Sequence, residues 1–430
     1  MINPLRPLAR WLCRATGLKP KHFKIPYAWI PYHLYTDGTA WAPLSVTLEL
    51  TYLCNLRCQM CSLVEGGMVT REGQRGNPEL REPDGTVRRE VSTAEYLDLI
   101  RQIGRAGVKS VTLTGGEPTL RRDIPVLVAA LKKYPIHLSL ISNGSGAPTV
   151  YRELIDLGLD AITISVDGTR EVHDHVRGRE GSFDRAIRAI QTVIDAKRAS
   201  GSGRPWLAVS CAVSALNQHD VENLVESFQS YDLDALNIGF LHFSTAERQQ
   251  ATERAVDGPV LHLKNSELPE RIVAVDTADL IARIARIRAA RDRRVPVQFG
   301  PDLDAEGIRR QYTDPTYTHA NKCFHPWLAT RIDPWGQMYP CWIDVRLGDV
   351  REHGFLGLWN GERYRSFRRM IREKKLLPKC TTCPALTDKT WSSVPTLNRG
   401  LLQLGLRTAP RSKPGKRSVP AGQGGVTGDT

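Results

Sequence analysis

The sequence predicts an α/β protein, an open barrel of six strand–helix repeats with a small cysteine-rich domain behind it. Two observations carry this. From Ser45 to about Phe240, short apolar runs rich in β-formers alternate with longer amphipathic stretches, the pattern of repeated βα units around a parallel sheet. Beyond that region, cysteines return in patterned spacing at 323, 341, 380 and 383. At 430 residues the chain can bury a large core, enough for about two domains, or for one barrel with an appendage.

Six runs read as strands: SVTLEL (45–50), SVTLTG (110–115), HLSLIS (137–142), AITISV (161–166), WLAVSCAV (206–213) and ALNIGF (235–240). Between them, apolar residues recur at three- and four-residue spacings over roughly 93–106, 123–133, 150–157, 183–199 and 219–230, which predicts helices. The stretch 62–92 is rich in Gly, Arg and Glu and is long for a βα connection, so it reads either as a substrate-facing flap or as a floppy insertion. Residues 241–320 form a connecting region with a charged helix near 277–294. The second cysteine domain spans 321–390, and 399–430 is a Pro-, Gly- and Lys-rich tail expected to be disordered. At the front, 1–44 is a basic extension. If 4–17 is helical, Leu5, Leu8, Trp11, Leu12 and Ala15 share one face and Arg6, Arg10 and Arg14 another, which suits docking on the body or lying on a membrane surface.

The net charge of +13 is confined to the two ends. Residues 1–24 carry six basic residues and no acid, and residues 398–430 carry six against Asp429 alone, which leaves +2 for everything between. Nucleic acid is therefore not an expected partner of the barrel, and the basic ends fit a solubilising role or a peripheral contact with an acidic surface. No secretory or 18-residue apolar run is present, so the expectation is a cytoplasmic chain whose thiols stay reduced. Of its nine cysteines, Cys13 and Cys211 stand alone and read as buried or incidental thiols; Cys211, on the fifth strand, would be a hydrogen donor only if it faced the barrel. The other seven cluster, which in a reducing compartment points to metal.

The first cluster follows the first strand directly in LELTYLCNLRCQMC, as Cys54-x3-Cys58-x2-Cys61. Three thiolates on such a loop can bind three irons of a cubane and leave the fourth iron open for chemistry. Zinc is the alternative, but it wants a fourth Cys or His nearby, and none follows until His137. The second strand ends in Thr114-Gly115-Gly116-Glu117-Pro118. Its glycines allow close backbone approach, and its carboxylate can accept from an ammonium group. Ser142-Asn143 closes the third strand and Ser165-Val166-Asp167 the fourth, at the face where α/β barrels bind ligands. Then come His173-Asp174-His175-Val176-Arg177-Gly178 and Gly181-Ser182-Phe183.

In order and spacing these segments resemble the radical S-adenosylmethionine superfamily, built on a partial (β/α)6 TIM-like barrel. The resemblance implies a [4Fe-4S] cluster on Cys54, Cys58 and Cys61 with S-adenosylmethionine beside it. It places Met60 near the adenine and assigns Gly115, Gly116, Glu117 and Pro118 to the amino group. Ser142, Asn143, Ser165 and Asp167 would contact the ribose and methionine portions, and Arg177 would pair with the methionine carboxylate.

In the second set, Cys323 is followed by Cys341, which closes Asp333-Pro334-Trp335-Gly336-Gln337-Met338-Tyr339-Pro340-Cys341, a hairpin signal, and then by Cys380-x2-Cys383. Four thiolates can saturate a [4Fe-4S] cluster or a zinc ion. The arrangement is similar to the auxiliary segment called SPASM, or twitch in its shorter form. Having four cysteines where the full pattern has seven, it implies one auxiliary [4Fe-4S] cluster on Cys323, Cys341, Cys380 and Cys383.

The resemblance further implies reductive cleavage of S-adenosylmethionine to a 5'-deoxyadenosyl radical, which abstracts hydrogen from a peptide or small-metabolite substrate and leads to oxidation, cross-linking or epimerisation. It also implies a one-electron donor such as flavodoxin or ferredoxin. A lipid substrate is the alternative, on the basic front end; from another class, a non-catalytic electron-transfer or sensor protein would have no use for GGEP with Arg177.

Overall fold

The computed structural model describes residues 27–65, 80–81, 87–256 and 268–386. The basic front end with its 4–17 helix and Cys13, much of the 62–92 stretch, and the tail from 399 lie outside the described residues.

All six expected strands form, as β1 (Ser45–Glu49), β2 (Ser110–Thr114), β3 (His137–Ser142), β4 (Ala161–Ser165), β5 (Trp206–Val213) and β6 (Ala235–Phe240). They pair in parallel in chain order. The sheet extends further than the sequence reading drew it. β7 (Val297–Gly300), from the connecting region, pairs in parallel with β6. β8 (Ala329–Ile332), from the cysteine-rich region, pairs in parallel with β1 on its other side, and β9 (Gln337–Tyr339) and β10 (Gly348–Asp349) follow antiparallel. One ten-stranded sheet thus runs through all three regions in the order β10-β9-β8-β1-β2-β3-β4-β5-β6-β7. The boundaries placed at Phe240 and 321 do not mark edges of the sheet. Both added strands are four residues long, and β8 carries an arginine inward, so neither reads as a strand from periodicity.

The two faces of the parallel strands differ in chemistry. Val46, Leu48, Val111, Leu113, Leu138, Leu140, Ile162, Ile164, Leu207 and Val209 form one core with helix residues such as Leu99, Ile103, Leu127 and Val193. Alternate positions point into the barrel, and they are small or polar: Thr47, Thr112, Ser139, Thr163, Ser210, Asn237 and Gln298. Thr47, Thr112 and Ser139 stand side by side, as do Ser210, Asn237 and Gln298. Cys211 belongs to the apolar face, 1% exposed within the core, so it packs against helices and does not serve the barrel.

Helices α1 (Thr93–Ala106), α2 (Ile124–Lys132), α3 (Pro148–Asp156), α4 (Arg170–Arg177) and α5 (Ser182–Ser200) cover the sheet. α1 starts with a Ser92–Glu95 capping box and stops at Gly107 in the left-handed conformation. Among the described residues no helix is long and apolar enough to cross a membrane.

The described part of the front extension, from residue 27, is bound to the far end of the chain. Asn360 exchanges two hydrogen bonds with the main chain of Ala40 at 3.0 and 2.9 Å. Trp359 Nε1 donates to the carbonyl of Trp41, and the fully buried Arg368 donates to the carbonyls of Pro326 and Gly38.

Where β1 meets β8, Arg331 is buried. Its Nη1 donates to Glu49 at 2.8 Å, its Nη2 to Asp344, and its guanidinium lies over the Tyr339 ring at 4.3 Å. Nearby, Asp333 accepts from the main-chain nitrogens of Trp335 and Gln337 and from the Tyr339 hydroxyl, each at 2.9 Å. Burial pushes the Asp333 carboxyl up to about 7. A carboxyl raised above its unfolded value of about 3.9 keeps its proton longer in the folded chain, so its contribution to stability falls as pH climbs from about 4 to about 7. Asp333→Asn should therefore flatten the loss of Tm between about pH 4 and 7; thermal melts with the same slope as the parent chain would count against this origin.

Candidate active site

Cys54, Cys58 and Cys61 sit just beyond β1, and two backbone contacts place them. Gly116 N–H donates to the carbonyl of Thr51 at 2.7 Å and Glu117 N–H to that of Leu53 at 2.9 Å, so the end of β2 continues alongside the chain leading to Cys54. A Cβ on Gly115, whose φ is +136°, would stand 2.3 Å from the Thr51 carbonyl oxygen, and one on Gly116 would stand 2.5 Å from that of Leu53. The glycines are thus required by their neighbouring strand.

On the other side the loop caps α4. Arg57 and Gln59 N–H groups donate to the carbonyls of Arg177 and Val176 at 3.2 and 2.9 Å, which satisfies acceptors a helix end leaves open. Gly178 ends α4 with φ +64° and lies so near the loop that a Cβ would meet the Arg57 carbonyl oxygen at 2.4 Å. Met60 packs with Cys54, Cys58, Val176 and Ile272 in a small apolar cluster.

The ends of β3 and α4 reach the sulfurs. Asn143 Nδ2 lies 3.8 Å from Cys54 Sγ and donates to Asn55 Oδ1 at 3.2 Å. Arg177 Nη1 lies 3.7 Å from Cys58 Sγ, and its Nη2 pairs with Asp167 at 2.6 Å. Asp167 is fully buried; burial raises its carboxyl and the Arg177 charge opposes that rise. The guanidinium expected to meet the methionine carboxylate is therefore already engaged with Asp167. Ser165, half-buried, stands beside Ser210 at the barrel mouth.

Glu117 departs from the sequence expectation in a similar way. It is 0% exposed and accepts from Thr119 N and Oγ1, Ser142 Oγ and Asn143 N at 2.6 to 3.1 Å. Its carboxylate braces the ends of β2 and β3, while Pro118 opens the buried turn after it. Three of these bonds go to Oε1 and one to Oε2. Asn55 was not singled out in the sequence, although it follows Cys54 directly; it accepts from Ser145 Oγ at 2.9 Å, and its carbonyl accepts from Arg179. Glu90, at the end of the 62–92 stretch, accepts from Thr51 Oγ1 at 2.9 Å and Tyr52 N at 3.3 Å, so that end of the stretch braces the loop.

Among the described residues no cysteine forms a disulfide. Burial and neighbouring cysteines push Cys54 up to about 12, and burial takes Cys58 to about 11 against the opposing charge of Arg177. In the second set, burial and the proximity of Cys380, Cys383 and Cys323 push Cys341 up, and the same causes raise Cys380 and Cys383. Among the described residues no three His, Cys, Asp or Glu side chains converge closely enough to hold a single metal ion. Four irons give each thiolate its own iron, so a cubane asks less convergence of the sulfurs than zinc does. Both sets fit a cluster.

Residues 48–226 match the family model described as the radical SAM superfamily. Those residues carry that superfamily's domain. Residues 323–384 match the iron-sulfur cluster-binding domain called SPASM. The radical SAM and SPASM assignments bring a [4Fe-4S] cluster with S-adenosylmethionine, and auxiliary iron-sulfur chemistry. Among relatives, the sporulation killing factor maturation protein SkfB of Bacillus subtilis is 28% identical over 75% of this chain and 66% of its own length. The PqqA peptide cyclase of Xanthomonas euvesicatoria is 27% identical over 76% of this chain and 77% of its own. Streptococcus suis SuiB bound to S-adenosylmethionine shares the fold with a TM-score of 0.54 at 15% identity, covering 85% of this chain and 78% of that one. Native anSMEcpe with bound AdoMet does so with a TM-score of 0.52 at 15% identity, over 84% and 96%.

The backbone contact at Gly115 yields a test. Gly115→Ala should lower the stability of the iron-free chain by about 3–4 kcal/mol in urea. Gly201→Ala, also at positive φ but with nothing within 4 Å of the added carbon, should cost only about 1–2 kcal/mol. Equal losses would show that conformation alone, and not the Thr51 carbonyl, demands glycine.

Proposed function

We propose that this radical SAM enzyme modifies a peptide, at a carbon presented to the polar mouth of its barrel. The observation that carries the reading is the convergence of Cys54, Cys58 and Cys61 with Asn143 and Arg177, brought to one rim from the ends of β1, β3 and helix α4. When bound, the cluster and S-adenosylmethionine supply a 5'-deoxyadenosyl radical at that rim. The chain's own residues bind and orient. Arg177 keeps a positive charge beside Cys58 while Asp167 holds it in place, and Asn143 donates toward Cys54.

Met60, within its apolar cluster, would offer a surface for the adenine. Gly115, Gly116, Ser142 and Ser165 would line the bound methionine and ribose. Cys323, Cys341, Cys380 and Cys383 would hold one auxiliary [4Fe-4S] cluster. A peptide substrate is supported by the names of the relatives, a peptide cyclase and a killing-factor maturation protein. It is supported too by the barrel interior, whose hydroxyl and amide lining solvates a polar main chain. A one-electron donor of the flavodoxin or ferredoxin type would feed the first cluster.

The test is anaerobic reconstitution followed by reduction and an assay for 5'-deoxyadenosine. The expected result is about eight irons per chain and product formation abolished by Cys54→Ala. Eight irons without cleavage would reduce the chain to an electron carrier. Cleavage stimulated about tenfold by a peptide encoded beside the gene, and not by free amino acids, would support the substrate class; no response to any such peptide would count against it.

A further inference from the structure

Asp167, just past β4, is clamped at its main chain and at both carboxylate oxygens. Its N–H donates to His173 Nδ1 at 3.2 Å, and its carbonyl accepts from Asn217 Nδ2 at 2.8 Å. Its Oδ1 accepts from the N–H of Ala212 at 2.9 Å, and its Oδ2 pairs with Arg177 Nη2 at 2.6 Å. The partners come from α4, from β5 and from the turn beyond β5. His173 is 0% exposed, and burial, with the Arg177 charge behind it, pushes it down to about 3, so the ring is neutral. With Nδ1 accepting, its proton sits on Nε2, a buried donor with no partner. An unmet buried donor costs about 1–3 kcal/mol, so the clamp carries a penalty that folding alone does not explain.

What the clamp fixes is Arg177. Its Nη1 lies 3.7 Å from Cys58 Sγ, its Nη2 is held by Asp167, its Nε is buried, and its carbonyl accepts from the N–H of Arg57 at 3.2 Å. The side chain is only 11% exposed. The group in contact with the sulfur is therefore a cation held largely out of water. Its charge pulls the Cys58 thiol down, and Asp167 opposes it more weakly. Cys54, by contrast, faces a neutral donor, the Asn143 amide at 3.8 Å.

We infer that Asp167 aims Arg177 at Cys58, and that this aimed cation raises the reduction potential of the first centre. The inference rests on a cluster held by Cys54, Cys58 and Cys61. Reduction adds negative charge to a cluster, and charge and hydrogen bonds at its sulfurs are levers on its potential. A cation fixed beside one sulfur in a low-dielectric surround stabilises the reduced form. Asp167 is a positioning residue that acts through Arg177. The guanidinium thus has a task within the chain before any ligand enters.

The experiment is a redox titration of the anaerobically reconstituted full chain without S-adenosylmethionine, read by electron paramagnetic resonance, with iron counted on each sample. The first centre is the signal that Cys54→Ala removes. Arg177→Gln should lower the reduced-to-oxidised ratio of this centre about tenfold at fixed potential, which is 59 mV for one electron. Arg177→Lys, which keeps the charge, should stay within about threefold of the parent. Asp167→Asn keeps an oxygen for Nη2 but removes the opposing anion, and should raise the ratio about threefold. A role confined to bracing the loop would move Arg177→Gln and Asp167→Asn the same way, or neither.

A parent-like potential in Arg177→Gln at full iron content would overturn the inference, and weaker binding of S-adenosylmethionine alongside it would return the guanidinium to the methionine carboxylate. A fall in Asp167→Asn would also overturn it, as would loss of the first centre's iron from Arg177→Gln and Arg177→Lys alike. Where Arg177→Gln alone fails to take up iron, a rise in Asp167→Asn beside a parent-like Arg177→Lys still supports it. A parent chain whose iron count is unchanged by Cys54→Ala would instead sink the first cluster itself, and that count is read before the other variants.

Discussion

The main chain of Gly115 to Glu117 lies directly against that of Thr51 to Leu53, and much of the site follows from this contact. It prolongs the β1–β2 pairing past the last regular strand residue and so delivers Cys54 to the barrel rim at a fixed height. Only glycine allows it at Gly115 and Gly116, because a side chain would collide with a carbonyl oxygen. Glu117 then turns inward and ties β2 to β3 through Ser142 and Asn143. Asn143, held at its own amide by that carboxylate, is left with its side chain aimed at Cys54. A backbone constraint thus propagates through one buried carboxylate to the sulfur of Cys54.

The six central strands and the covering helices were legible in the sequence because each is long enough for its period to show. β7 and β8 were not. β8 carries Arg331 on its buried face, a choice that contradicts every strand signal and makes sense only beside Glu49 and Asp344, which are distant in sequence. The site was legible as a set of positions but less so as a set of roles. Cysteine spacing announced itself through chemistry. Glu117 and Arg177 were identified, yet a motif does not say which partner a charged group will choose, and both chose partners within the chain. Asn55 carried no signal beyond standing next to Cys54.

The barrel separates its tasks by face. Outward positions are branched and apolar and hold the helices; inward ones are mostly hydroxyls and amides, as at Thr112 and Ser139, whose oxygens lie 3.0 Å apart. The strongly charged groups at the rim, among them Asp167 with Arg177 and Glu49 with Arg331, are ion-paired and buried. Such an interior positions and solvates a polar guest, and leaves the difficult bond-breaking to what is bound at the cysteines.

The pairing of β1 with β8 joins Glu49 to Arg331 across 282 residues of chain. A ribosome adding about 5–20 residues per second needs on the order of 15–55 s to travel from one to the other. Throughout that interval the cysteine loop has been made, but one flank of its strand has not. The flank of the first set, and the whole of the second set, are therefore completed only late in synthesis, when β8 and the residues around it emerge. The edge of β1 beside the cysteine loop thus waits for most of the chain, a long-range closure of the kind that makes folding slow.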